Sequence, residues 1–527
     1  MKTINIFKVA LVTLGLIQLT SCEKFLDQPV LGTQTQDNYY KTASECEASI
    51  NGCYQSLFGE SGGWWPIAAF YVATDMASDD LWMGNTSQDP ATFLRTAHYM
   101  NPKYDAVIQA FWEHRYKGIQ RTNTALSGIS GSPMQNEDDK KRMLAEAKFL
   151  RAFFHFDLLI NFGDIPIMDK VYLPEEVQGK SRDKIEDVYA FIEKDLEEAI
   201  EFLPLRSEYD LSQRGKATKG AAMAYLGKVY LFQQKYVEAK DMFMKVINSG
   251  EYGLLADFSQ VWNLHYDNSI EGIFEGQFME DTQYRLGTQI PVLTGSRDDS
   301  GWSWGLPTSN LEKAFLDEGD MERLKWSIVK DGEDVPGDDD QDALPISPGS
   351  HKSARINRKF YIPQVDRNMP YNNPTHALNH RFMRYADVLL MCAEASYHSG
   401  DEGTAKLYLN QVRQRVYLDD VTASGTELRD AIRKERRLEL AMEFHRLEDI
   451  RRWDDDNGKK AICNIMGPNG SFVKYNTETS EDKYERDNQI ESSNKGTFFQ
   501  ENRDLLFPIP YIEIQISNGA IQQNPNF

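Results

Sequence analysis

The chain has 527 residues and a formal net charge of −22, with 80 acidic side chains against 58 basic ones. A surface so acidic repels phosphates, which argues against nucleic acid as a partner and favours a self-repelling exterior. At roughly 100–200 residues per domain, the length allows two to four domains.

Lys2 and Lys8 lead into Val9–Ile17, apolar except for Thr13 and Gly15. A bilayer-spanning helix needs roughly 20 apolar residues. This run instead has the size of a signal-peptide core behind a positive end. Leu19, Ser21 and Cys22 follow, an aliphatic residue, a small one and a cysteine, which is the pattern of a bacterial lipoprotein signal. On that reading residues 1–21 are removed, the charge becomes −24, and Cys22 carries acyl chains. Two or more such chains anchor stably where one does not. The plainer alternative is a secretory signal with an incidental cysteine. No later segment has the length and apolarity of a membrane span.

Cys46, Cys53, Cys392 and Cys463 remain. The first two, on one helix, stand about 10.5 Å apart along its axis, too far for a disulfide. No pair has metal-ligand spacing, so all four are expected as small buried residues.

Helical period begins clearly at residues 143–160, "MLAEAKFLRAFFHFDLLI". After Ser181, the residues Ile185, Val188, Ile192, Leu196, Ala199 and Leu203 step by three and four until Pro204. Thr218 is a plausible cap for a helix carrying Ala222, Tyr225, Val229 and Phe232 on one face. Tyr236, Ala239, Phe243 and Val246 form its partner, closed by Gly250. This pair has the layout of a tetratricopeptide hairpin, and the layout recurs in "RYADVLLMCAEASYHSGDEGTAKLYLNQVRQR" (384–415). More than a hundred residues separate the two hairpins, whereas a solenoid stacks neighbours directly. The expectation is therefore a mainly α scaffold with long irregular insertions at roughly 59–105, 251–310, 331–380 and 464–504. Long loops are often functional, so function is expected on loops carried by a rigid base.

At this point five blocks, in order, resemble the SusD/RagB family of outer-membrane lipoproteins that Bacteroidetes use for nutrient capture. They are "CEKFLDQPV", "AEAKFLRAFFHFDLLINFGDIPIM" (145–168), "RFMRYADVLLMCAEA" (381–395), "ERRLELAMEFHRLEDIRRWD" (435–454) and "LLFPIPYIEIQISNGAIQQNPNF" (505–527). Phe444 departs from the pattern, standing where relatives often have a small residue. The resemblance implies a SusD-like fold with tetratricopeptide-like hairpins: a signal peptide over 1–21, an N-terminal helical region over 22–235 and a C-terminal region over 236–527. It also implies a non-enzymatic protein, lipid-anchored in the outer membrane and facing outward, that delivers oligosaccharides to a SusC-like TonB-dependent transporter. Glu23 and Asp27 resemble surface-export signals in such bacteria. No cofactor is implied.

The charges between Glu435 and Arg452 sit at spacings where opposite charges pair along a helix and are expected to be structural, as are Arg151 and Asp164. There is no zincin motif, nucleophile elbow or P-loop. Neither His376 with His380 nor the acidic stretch 331–343 has a convincing ligand set.

Tryptophans carry the candidate site. Trp64, Trp65, Trp82, Trp302 and Trp304 fall in two glycine-rich windows, 61–85 and 280–305, without helical period. Exposed indoles are unfavourable unless they pack on the scaffold or serve a ligand. An indole face suits the C–H face of a sugar ring, while Asp, Asn or Arg beside it bonds the hydroxyls; each stack contributes on the order of 1 kcal/mol. The candidate ligand contacts are Trp82 with Asp79, Asp80 and Asn85, then Trp65, Tyr284, Trp302 and Trp304. Trp112 and Trp453, on helices, are expected in the core. The alternatives are a peptide ligand, signalled by an acidic cleft without an open aromatic platform, a surface glycosidase, and a structural lid for the transporter.

Overall fold

A computed structural model describes residues 39–58, 64–84, 89–281, 286–335, 344–368, 376–480, 482 and 495–527. The fold is mainly α. Helix α1 (Ala43–Gln55) starts on a capping box: the Thr42 hydroxyl accepts from the Glu45 amide, and the Glu45 carboxylate accepts from the Thr42 amide. Helix α2 (Trp64–Tyr71) continues into a π-turn at Val72–Met76 and ends at the two-residue strand β1 (Leu81–Trp82). The sequence "WWPIAAFY" gives α2 no apolar–polar period; its described residues from Ile67 onward are buried all round. A helix apolar on every side carries no moment to read, so a helix stands where an irregular window was expected.

The scaffold follows. Helix α3 (Ala106–Ser130) is capped by Asp105, whose carboxylate accepts from Val107 and Ile108. Helices α4 (Glu137–Phe162), α5 (Ile185–Phe202), α6 (Lys219–Phe232) and α7 (Tyr236–Asn248) each pack on the one before. Thr218 caps α6 as expected, accepting from Ala221 at 3.0 Å. The chain then leaves the scaffold through strand β2 (Gly272–Gly276), the short helix α8 (Ile290–Thr294) and strand β3 (Leu306–Pro307). It returns on β4 (His380–Arg384), antiparallel to β2, into α9 (Tyr385–His398) and α10 (Glu402–Arg415), then α11 (Thr426–Glu439) and α12 (Arg446–Arg452).

Helix α7 packs directly on α9. The helical stack is therefore continuous in space, and the excursion between α7 and α9 is looped out of it. The core runs through this stack and includes Trp112 and Trp453, both buried. Cys46, Cys53 and Cys392 are buried as expected, whereas Cys463 is only half-buried.

The charges between Glu435 and Arg452 are structural. Arg384 bridges three carboxylates: Glu443 at 2.7 Å, Glu271 at 2.9 Å, and Glu439. Arg415 joins Glu271 to Glu439, Arg323 joins Glu435 to Glu439, and Lys359 reaches Glu443 at 2.6 Å. All of these side chains are essentially buried. Burial alone would raise the Glu443 pKa, but Arg384 and Lys359 bring it down to about 2. Arg151 pairs with Asp195 through two hydrogen bonds, and Asp164 accepts from the Ile185 amide at the start of α5. Phe444 has a positive φ of 70°, which explains why a small residue suits that position. Its ring compensates by packing on Phe70, Tyr71 and His380 at 5.2, 5.0 and 4.6 Å.

Candidate functional site

The ladder β1–β3, with Leu81 opposite Pro307 and Trp82 opposite Leu306, brings the two tryptophan windows together. Two glycines make the approach possible. A β-carbon at Gly84 (φ 75°) would lie 2.3 Å from the Ser303 carbonyl oxygen, and one at Gly305 (φ 67°) would strike the Tyr71 hydroxyl.

What the ladder builds is core, not a platform. Trp82 is 2% exposed with its ring 5.8 Å from Phe472, and Trp304 is 1% exposed with its ring 5.2 Å from Phe93. Neither indole offers a face to a sugar. Asp79 and Asp80 are also taken. Asp79 accepts from Arg446 at 2.8 and 2.9 Å, and Asp80 from Arg437 at 2.8 and 2.6 Å. Burial would raise the Asp79 pKa, yet the Arg446 and Arg437 guanidiniums hold it well below the usual carboxylate range. These partners lie more than 350 positions away, beyond any local pattern. Trp302, edge-on to Trp304 at 5.5 Å, is half-buried and keeps part of its ring open. Trp65 stands in the first turn of α2, and its side chain is outside the described residues, as are Asn85, Tyr284 and Cys22.

An open cleft of about 690 Å³ lies elsewhere. One wall is α1, with Ala48, Asn51, Gly52 and Gln55 at helical spacing on one face. The opposite wall comes from residues 211–216 and from the end of β2 with Gln277 and Phe278; Leu286–Gln289 close the far side. Two insertion windows marked in the sequence thus reach the cleft, through Ile67 and through Leu286–Gln289.

The β2 wall is rigid. Gln277 and Asn268 exchange side-chain hydrogen bonds at 2.8 and 3.0 Å; Gln277 also accepts from Asn379 at 3.2 Å and donates to the Glu275 carbonyl. Its bonding capacity is full. Glu275 Oε2 accepts from the Asn268 amide and from Asn379. Beneath them Phe58 lies 5.2 Å from Phe278 and stacks on Phe382 at 4.8 Å. Asn51, Gln55 and Gln213, by contrast, make no side-chain hydrogen bond among the described residues, and Gln55 is exposed. Exposed Leu211, Met279 and Leu286 lie at the cleft as apolar surface.

Among the described residues one lining side chain is cationic. Lys216 donates to Glu47 and has Glu146 at 3.9 Å; burial pushes its ammonium down to about 8. Glu146, which accepts from the Tyr54 hydroxyl at 2.9 Å, is pushed up to about 7 by burial, with Arg142 opposing. Such a site can hydrogen-bond a polar ligand with neutral amides and cover its apolar faces with Phe278 and the aliphatic surface. Among the described residues Glu275 is the one carboxylate in the lining. Among the described residues no three His, Cys, Asp or Glu side chains cluster so as to hold a metal ion. Local sequence gave no signal for Asn51, Gln55 or Gln213, because the cleft is assembled from four separated segments.

Comparison with known proteins bears on both regions. A family model described as "SusD family" matches residues 270–527, and one described as "Starch-binding associating with outer membrane" matches residues 25–231. SusD-like protein P2 of Formosa agariphila is 27% identical, with 99% of each chain covered. A solved laminarin-binding SusD-like protein is 27% identical and superimposes with a TM-score of 0.73 over 93% of this chain and 100% of its own. A SusD homolog from Bacteroides thetaiotaomicron, 23% identical, shares the fold with a TM-score of 0.76 over 93% of this chain and 98% of its own.

Proposed function

This chain belongs to the SusD/RagB family, and from that premise we propose that it binds a nutrient oligosaccharide or polysaccharide at the cell surface and delivers it to a SusC-like TonB-dependent transporter. The observation that carries this reading is the open cleft, lined by uncommitted carboxamides and aromatic surface, in a fold shared with a laminarin-binding protein along nearly the whole chain. Amides both donate and accept, as hydroxyls do, which favours a saccharide over a cationic peptide in a lining with a single carboxylate among its described residues. Trp302, Trp65 and Tyr284 keep the ring-stacking role proposed from sequence, with Asn85 as a hydrogen-bonding neighbour. Cys22 is the proposed lipid attachment point in the outer membrane, and Cys22→Ala is expected to release the protein from that membrane.

A capture protein must also release its cargo, so a dissociation constant between millimolar and micromolar, about −4 to −8 kcal/mol, is sufficient. The test is calorimetry of the mature chain against laminarin and starch, with an assay for new reducing ends. Saturable binding without cleavage is expected. Release of reducing ends would establish a glycosidase instead, and absence of binding to any glycan would remove the capture reading.

A further inference from the structure

Resting on that reading, we propose that the cleft selects uncharged polysaccharides and rejects those bearing uronate or sulfate groups. Three observations converge on this selectivity. The described lining side chains that make no side-chain hydrogen bond include the neutral amides Asn51, Gln55 and Gln213 and the neutral hydroxyl of Ser212, and Glu275, the one carboxylate among the described lining residues, leaves its Oε1 without a donor. An amide matches a hydroxyl group for group, but it cannot repay the desolvation of an anion, which needs a cationic or strongly hydrogen-bonding partner.

Lys216, the one cation among the described lining residues, is not available to an anionic sugar. Lys216 is held by Glu47 with Glu146 close behind, so drawing its ammonium toward a ligand would leave those two carboxylates without it. An anion entering the cleft would also approach Glu275, whose own partners are N–H donors and not cations, with Asp267 beyond it paired to Arg381. Arg142 pairs with both Glu47 and Glu146, and even with it counted the group Lys216, Arg142, Glu47, Glu146 and Glu275 holds three carboxyls against two cations. The third observation is global. At a net charge of −22 the whole surface repels a polyanion before it reaches the cleft.

The decisive experiment is affinity electrophoresis of the mature chain through gels containing laminarin or starch (neutral), alginate (a polyuronate) or carrageenan (sulfated). Retention by at least one neutral polymer is expected, with retention by alginate and carrageenan at least about tenfold weaker and neutral binding indifferent to salt between about 0.05 and 0.5 M. A Gln55→Lys/Gln213→Lys double variant, altered only on accessible side chains, is expected to gain alginate retention that salt abolishes. Wild-type retention by alginate or carrageenan equal to that by every neutral polymer would overturn the selectivity while leaving glycan capture standing. A double variant that folds but gains nothing would overturn the cleft as the place of selection. Retention by no polymer would overturn the capture reading together with this one.

Discussion

The centre of the molecule and its cleft are both rich in polar side chains, yet they are built on opposite terms. Around Arg384 the groups are ionised and sealed from water, and each is satisfied by another charge. In the cleft the groups that remain free are uncharged and open to solvent. Buried ions are intolerant of change, because removing one strands its partners. Neutral amides tolerate rearrangement and suit repeated binding and release. The chain thus uses charge to fix its shape and, on the proposed function, neutrality to meet its ligand.

The largest expected effect breaks the charged half of that contrast. Arg384→Met leaves Glu271, Glu439 and Glu443 without their shared guanidinium and is expected to cost about 3–5 kcal/mol in denaturant titrations. Trp82→Ala opens a hole beside Phe472 and is expected to cost about 3 kcal/mol or more, with saccharide affinity of the folded protein unchanged. A loss of affinity without loss of stability would restore the indole to the ligand site.

Acid tests the same half. The folded pKa values of Glu443 and Asp387 are both lowered to about 2. The stability they contribute is present above their ordinary values and lost as pH falls toward 2. Glu146 and Asp267 run the other way: burial raises both to about 7, so their contribution is lost as pH rises through 7. Burial lowers His114, His155 and His445 to about 3, 3 and 4, which adds to the acid-side loss, because the unfolded chain takes up their protons below pH ~6.5 while the fold does not. Melting temperature is therefore expected to fall steadily as pH drops from ~6 toward 2, and a Glu146→Gln variant is expected to lose less stability than the wild type between pH ~4.5 and ~7.5.

Smaller changes probe the neutral half. Gln55→Ala/Gln213→Ala removes two uncommitted amides and is expected to weaken saccharide binding by about 1–2 kcal/mol, with the melting transition moved by less than ~0.5 kcal/mol of stability. Calorimetry checks the first and thermal scanning the second. Trp302→Ala is expected to have the smallest effect, at most about 1 kcal/mol of affinity, because only part of its ring is open.

Part of the scaffold was legible because α5, α7 and α11 carry one apolar stripe, and α6, buried nearly all round, was legible from its marked start at Thr218 and its length. Helix α2 was not legible, since burial on all sides erases the period on which such a reading depends. The first tryptophan window holds α2, packed on α3, and Trp82 and Trp304 turned inward because β1 and β3 pair. That pairing links residues more than two hundred positions apart. The cleft escaped notice for the same reason: Asn51 and Gln213 acquire a common role only once α1 meets the 211–216 segment.

The clasp between Asp80 and Arg437 closes over 357 positions. During synthesis the two aspartates at 79 and 80 must wait for nearly the last fifth of the polypeptide before their countercharges exist. A chain that stops before Arg437 and Arg446 lacks both countercharges for these buried carboxylates, at a cost of about 3–5 kcal/mol, and is expected to be digested faster than the full chain in limited proteolysis.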